Sequence, residues 1–421
     1  MNAKTPVTAL IVLLLAAISR ADSPPVQAGG GEFRLGAHGD SPSPAVRRQI
    51  VSQIEYNRAA LRASGVIAAV VQGGVEPARL DFPLRPVPGI TGPGYHGVSN
   101  FVDQDASYPD AIEDYSCGER TYDLASGYNH PGTDYFLWPF GWLRMDLDAI
   151  EVVAAAPGIV VLKQDGRPDR SCSAGGAGEW NAVYVEHADG MVAWYGHLQS
   201  GSLTAKGVGD TVERGEFLGR VGSSGASTGP HLHFELQAPS AQVIDPYAGS
   251  CNATTGESWW NSQPEYYDSA LNELATHSAP PVFPDCPEPE QPNYSDRFEP
   301  GGSVVFAAYY RDQLAGQVSS YAVRRPDGTV FAAWEDEIPD PHYSASYWWW
   351  QHDLPPSAPT GEWSFEVDYQ GAVHAHPFRV EQVVFADGFE NGDTGGWSSG
   401  LGAEDGDGGM TMIVTLGPTE G

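Results

Sequence analysis

Positive charge is scarce in this sequence: 22 Lys and Arg face 54 Asp and Glu, for a formal net charge of −32. A nucleic-acid binder needs a basic face to neutralise phosphates, so this balance argues against that class. It also removes net attraction to anionic membranes and wall polymers, and its plainest meaning is solubility outside the cytoplasm. Cysteine is sparse, at 4 residues with no C-x-x-C pair, so a cysteine-based metal site has no support. After residue 21 no run is long and apolar enough to cross a bilayer, and no transmembrane segment is expected there. The helical H-E-x-x-H pattern of one metalloprotease class is absent. Between residues 82 and 247 no helical period of useful length appears.

What is present begins with an export signature. Lys4 gives a short positive start, residues 7–17 are apolar, and Ser19-Arg20-Ala21 offers small residues at a cleavage site. Residues 1–21 therefore read as a signal peptide, and the protein as secreted or periplasmic. All four cysteines (Cys117, Cys172, Cys251, Cys286) follow it, and an even count in an exported chain predicts two disulfides with three possible connectivities. Proximity in sequence alone favours Cys117–Cys172 and Cys251–Cys286. The 50 Gly, 19 Tyr and 12 Trp point to β-rich, turn-rich domains. A length of 421 residues implies two or three domains, since single cores rarely exceed about 250–300 residues.

The chain divides by pattern. Residues 22–81 form an N-terminal region that starts loose, rich in Gly, Pro and Ser up to residue 42. One helix follows: Ser43 caps it, Pro44 suits its first turn, Gly65 stops it, and Val46, Ile50, Ile54 and Leu61 form its apolar stripe. That stripe favours packing on the next domain over a removable pro-region. Residues 82–247 read as β, with "NAVYVEH" and "MVAWYGHL" a hairpin across Ala-Asp-Gly. Residues 248–295 carry Pro and acid at a density that predicts an extended, poorly packed linker. Strands resume over 296–382 at a spacing that suggests a β-sandwich of immunoglobulin or fibronectin type III kind. Residues 383–421 read as a mobile, acidic, Gly-rich tail.

The chemistry concentrates in "TGPHLHFEL". Alternation puts His231 and His233 on one side of a strand, with Leu232 and Phe234 on the other. H-x-H alone is a weak signal, and the chain supplies its own control: His374 and His376 share the spacing but have no H-x-x-x-D companion. That pair reads as structural or surface, because a zinc site needs at least three protein ligands. The first pair has a companion in "YNHPGTDYF", where a turn through Pro131-Gly132 can bring His130 and Asp134 to one point. His130, Asp134 and one strand histidine would make a His2Asp site for one Zn2+, leaving the fourth position to water. His197 stands at the end of a hairpin strand in "WYGHLQ".

The order H-x-x-x-D, then Y-x-H-L, then G-x-x-x-T-G-P-H-L-H-F-E resembles the lysostaphin/LytM-type zinc endopeptidases, over about residues 82–247. The resemblance implies an open antiparallel, barrel-like β domain, with His130, Asp134 and His233 as zinc ligands and His197 and His231 as catalytic groups. It implies a peptidoglycan peptide as substrate. That family includes members that lost ligands and act as partners of other hydrolases, whereas all five positions are filled here. The departure is an aromatic insertion, "YFLWPFGWLRMDLD", which bears on the cleft. The sequence points to no partner subunit, and a monomer is expected.

Other residues read blandly. Glu235 is taken as polar structure and His187 as solvated beside its turn. Tyr135, Phe136, Trp138, Phe140 and Trp142 read as packing, with a cleft-rim role as the alternative. Trp348-Trp349-Trp350 alternate across a strand, so at most one face is expected in a core. "ADGFENGDTGGW" lacks EF-hand spacing.

Overall fold

The hairpin expected from "NAVYVEHADGMVAWYGHL" forms, with Ala182–Glu186 antiparallel to Val192–Gly196. The computed structural model describes residues 25–34, 42–67, 78–90, 92–173, 178–252 and 254–382. The expected signal at 1–21 and tail at 383–421 lie outside the described residues.

The hairpin sits inside an eight-stranded sheet. Its main order is Thr211–Val212, Gly158–Gln164, Ala182–Glu186, Val192–Gly196, His231–Gln237, Thr133–Leu137 and His96–Asn100, with Val243–Ile244 beside His231–Gln237. A second, three-stranded sheet joins Phe217–Arg220, Ile150–Val153 and Leu84–Pro86. The two share one apolar core, to which Leu232, Phe234 and Leu236 contribute from the histidine strand. The fold is mainly β, and the large sheet is open, as expected: its strands do not close on themselves, and Thr211–Val212 and His96–Asn100 end it.

The N-terminal helix spans Pro44–Ala63, and the Ser43 hydroxyl accepts from the Val46 amide as its cap. Ile50 and Ile54 are buried against Val161, Tyr184 and Trp194 on the outer face of the large sheet. Each such side chain stabilises the docked helix by about 1.5–3 kcal/mol. Arg58 and Arg62 both pair with the buried Glu186 carboxylate at 2.9 Å, and Asn57 donates to the Val161 carbonyl at 2.7 Å.

Several expectations from local pattern fail together, and for one reason. Residues 27–32, expected to be loose, form a strand against His342–Asp353. Residues 248–295, expected as a linker, supply the strand Ala270–His277, which pairs with Ser303–Leu314. These make a four-stranded sheet ordered Gln27–Glu32, His342–Asp353, Ser303–Leu314, Ala270–His277. One face packs on a five-stranded sheet, where Phe306, Tyr310 and Trp350 meet Tyr321, Trp363 and Phe365. The other packs on the aromatic insertion, where Val305, Tyr309 and Trp349 meet Phe136, Trp138 and Phe140. Trp349 and Trp350 are 9% and 7% exposed, so both faces of this strand are core. A sheet covered on both sides reads as a continuous apolar run rather than an alternating one. The peptidase-like and C-terminal regions consequently belong to one compact unit.

The same folding back corrects the cysteine pairing. The disulfides are Cys117–Cys251 and Cys172–Cys286, closing 134 and 114 residues. Segment 248–295 lies over the β region, so each bond staples it there. His187 is also corrected: it is 3% exposed, with Nδ1 donating to the Pro157 carbonyl at 2.9 Å. His374 and His376 stay on a partly exposed strand, with His376 3.0 Å from Asp296.

His277 yields a pH prediction away from any candidate chemistry. It is fully buried, stacks on Tyr294 at 5.1 Å, and has Nε2 3.1 Å from the Tyr309 hydroxyl. Burial, aided by the charge of His376, pushes its pKa down to about 4. The folded value lies below the unfolded one, near 6.5, so the native state binds fewer protons. The stability this represents is present above the unfolded pKa and is lost as pH falls toward 4. Between pH 7.5 and 4 the wild type should lose about 3 kcal/mol more than His277→Gln. Urea unfolding of both proteins at the two pH values measures this, and equal losses would refute it.

Candidate functional site

The histidine strand brings the pieces together through register. His233 pairs with Asp134 across Thr133–Leu137 and with Gly196 across the hairpin strand. Because side chains alternate, His231, His233 and Glu235 share the face opposite the core. One ligand atom each from His130, Asp134 and His233 lie within 4.8 Å of one another, and all three residues are buried. His130 Nε2 is 3.0 Å from Asp134 Oδ2, and His233 Nδ1 is 2.8 Å from Asp134 Oδ1. Gly132 makes the turn possible, since a Cβ there would meet the His233 ring at 2.7 Å.

His197 and His231 stand beside this cluster, with ring centroids 4.4 Å apart, and His231 Nε2 is 3.8 Å from Asp134 Oδ1. Each of three imidazoles is locked by a carbonyl that can only accept. Nδ1 of His130 donates to Phe101, that of His197 to Ser224 at 2.6 Å, and that of His231 to Gly229 at 2.8 Å. A proton therefore sits on each of these Nδ1 atoms. Nε2 of His197 and of His231 is buried without a hydrogen-bond partner, whereas that of His130 faces Asp134 Oδ2. Buried polar atoms are rarely left so, and two beside the His130, Asp134, His233 cluster fit groups that take up a cation or a proton.

His197 holds a left-handed backbone at φ 61°, which is costly for a non-glycine residue. Asn181 clamps it: its Nδ2 donates to the Leu198 carbonyl at 3.1 Å, and the Leu198 amide returns a bond to the Asn181 carbonyl.

Charge sets the protonation. Burial would raise Asp134, but the charges of His130 and His233 and their hydrogen bonds hold it well below the usual carboxylate range. Burial holds His197 well below its ordinary value, reinforced by the neighbouring His231 and His233, so it is neutral at pH 7. For His233 burial opposes the charge, yet bonds to Asp134 and Glu235 outweigh it and push the pKa up to about 9. In the absence of a cation, the imidazolium is thus the counter-charge to two buried carboxylates. A divalent cation replacing that proton fits two imidazoles and one carboxylate, the donor set of open zinc sites.

A cleft of about 460 Å³ opens beside His231. Phe136 and Trp142 line it from the aromatic insertion, whereas Phe33, Arg34, Phe283 and Asp285 line the other side. Trp138 and Phe140 are buried under the four-stranded sheet, so the insertion divides between packing and rim.

Sequence reasoning missed three contributors. Asn100 donates to Asp134 Oδ2 at 3.0 Å through a strand pairing that no motif announces. Trp180 packs its ring 4.8 Å from His197 and 5.6 Å from His233. Glu235, read as polar structure, faces His233 Nε2 at 3.4 Å and takes a two-pronged bond from Arg47. The alternation that placed His231 and His233 together also put Glu235 on their face, so that signal was available.

Comparison with known proteins assigns one part of the chain. Residues 143–246 match the family described as Peptidase family M23, and this part of the chain is an M23 peptidase domain. The match includes His197, His231 and His233; His130 and Asp134 lie before it. The chain is 42% identical over 95 residues to DD-carboxypeptidase/endopeptidase Mpg of Neisseria meningitidis, covering 23% of this chain and 19% of that protein. It is 42% identical over 71 residues to cell division protein DipM of Caulobacter vibrioides, covering 16% and 11%. The catalytic domain of the M23 protein EnpA from Enterococcus faecalis aligns at 28% identity and a TM-score of 0.24, covering 37% of this chain and 92% of that one. The chain thus spans about a fifth or less of the curated relatives' length.

Proposed function

We propose that the protein is an exported zinc metalloendopeptidase that hydrolyses peptide bonds in bacterial peptidoglycan. The observation that carries this is the buried His130, Asp134, His233 cluster beside two further imidazoles whose Nε2 atoms lack partners. Membership in the peptidase family and the names of its relatives support hydrolysis of a wall peptide. The residues alone argue for metal-assisted amide hydrolysis.

In this reading His130, Asp134 and His233 hold one zinc ion. Zinc, when bound, lowers the pKa of its water toward about 7 and polarises the scissile carbonyl. The chain's own part is to hold and move protons. His197 and His231 present lone pairs fixed by their Nδ1 bonds, accept a proton from the attacking water and return it to the leaving amine. Burial of the five residues excludes bulk water and strengthens each interaction. The two apolar-cored C-terminal sheets are taken as a β-sandwich, and the disulfides and apolar leader fit an oxidising, extracytoplasmic location.

The test is digestion of purified wall and a defined muropeptide, with and without chelator, products being read by mass spectrometry. Zinc-loaded protein should clear the wall and release a new amine and carboxyl end, and chelator should abolish both. Clearing that persists under chelation would sink the zinc reading. No clearing on several wall types would favour a non-catalytic wall-binding module.

A further inference from the structure

Glu235 is a fully buried carboxylate with a cation supplied from 188 residues away. Arg47, in the first turn of the Pro44–Ala63 helix, donates from both terminal nitrogens, at 2.9 Å to Oε2 and 2.5 Å to Oε1. Gln237 adds a bond to Oε1 at 2.6 Å. Glu235 Oε2 in turn faces His233 Nε2, while His233 Nδ1 faces Asp134. The guanidinium also lies 4.9 Å over Trp194, whose neighbour Trp180 packs against His197 and His233. One arginine thus touches Glu235 directly and reaches the second support, Trp180, through Trp194.

We propose that Arg47 is a positioning residue for the metal centre, acting through Glu235 on the orientation of His233, and that the N-terminal helix is a working part of the mature enzyme. The inference rests on the zinc reading above. A ligand histidine keeps its ring angle when its second nitrogen is held by a carboxylate, and loss of such partners weakens metal binding about 10- to 100-fold. Arg47 holds that carboxylate in one orientation through both of its oxygens. Without Arg47, Glu235 would swing away from His233, and His233 would lose its hold. A planar fork fixes both carboxylate oxygens at once, whereas a lysine would supply the charge without that fixed orientation. The helix is anchored independently by Ile50, Ile54, Arg58 and Arg62, so the support is fixed. It also lies outside the part of the chain that matches the peptidase family, residues 143–246.

The test is zinc affinity by chelator competition on the full chain, beside the absorption spectrum of the cobalt(II) form. Arg47→Gln should raise the zinc Kd about 10- to 100-fold and alter the cobalt spectrum. Arg47→Lys should lose less, because it keeps the charge and gives up only the fork. Circular dichroism reports the fold of each variant. If Arg47→Gln does not fold, Arg47→Lys carries the test alone. A folded variant with wild-type zinc affinity and cobalt spectrum would overturn the proposal. His130→Ala is the control for the underlying reading: if it binds zinc as the wild type does, the metal assignment falls and this inference with it.

Discussion

Asp134→Ala should abolish metal binding and peptide hydrolysis together, with turnover falling at least about 10³-fold. Asp134 is the hub of the site: one oxygen faces His233 at 2.8 Å, and the other meets both His130 and Asn100 at 3.0 Å. In the proposed zinc reading it supplies the negative charge that would make a dication preferable to a proton between the imidazoles. Removing a single preorganised donor from a catalytic site costs about 10²–10³-fold, and losing the cation should cost more. Asp134→Asn is the sharper variant, because it keeps the shape and the contact region while deleting the charge. Zinc content and muropeptide turnover, measured on the same preparation, check the expectation. Wild-type turnover in a zinc-depleted Asp134→Ala protein would remove the metal from the mechanism altogether.

The second large effect separates holding a metal from moving a proton. His197→Ala and His231→Ala should each keep the zinc and lose about 10²–10⁴-fold in kcat, the usual contribution of a positioned proton donor or acceptor. His233→Ala should lose the zinc itself. The geometry behind this division is direct: His233 Nδ1 lies against Asp134 at 2.8 Å, whereas His231 Nε2 stands off at 3.8 Å. Metal content of the three variants decides it. If His231→Ala releases zinc while His233→Ala retains it, the assignment within H-x-H is inverted.

These expectations rest on parts that were unequally visible in the chain. The H-x-H face, the H-x-x-x-D turn and the Ser43-capped helix all follow from neighbours a few residues apart, and all formed. Asn100 was invisible, because it reaches Asp134 through a strand pairing that no local pattern specifies. Arg47 was invisible for the same reason: a helix stripe predicts that a helix docks, but not which arginine ends over which carboxylate. The cysteines misled because proximity in sequence was the only guide, and segment 248–295 folds back over the β region instead of trailing away.

By itself the sequence determined the acidic composition, the β character, the helix and its cap, and five candidate site residues with the chemistry their types allow. Those depend on backbone periodicity and side-chain identity, which act over a few residues. Only the tertiary structure decided that the site carries a support from the N-terminal helix, that its cleft has a wall from residues 33–34 and 283–285, and that the C-terminal sheets join the same unit. These depend on which distant apolar surfaces cover one another. The two-faced strand around Trp349 and Trp350 shows the reason, because its second face is covered by a cluster that includes Phe136, Trp138 and Phe140, some two hundred residues earlier in the chain.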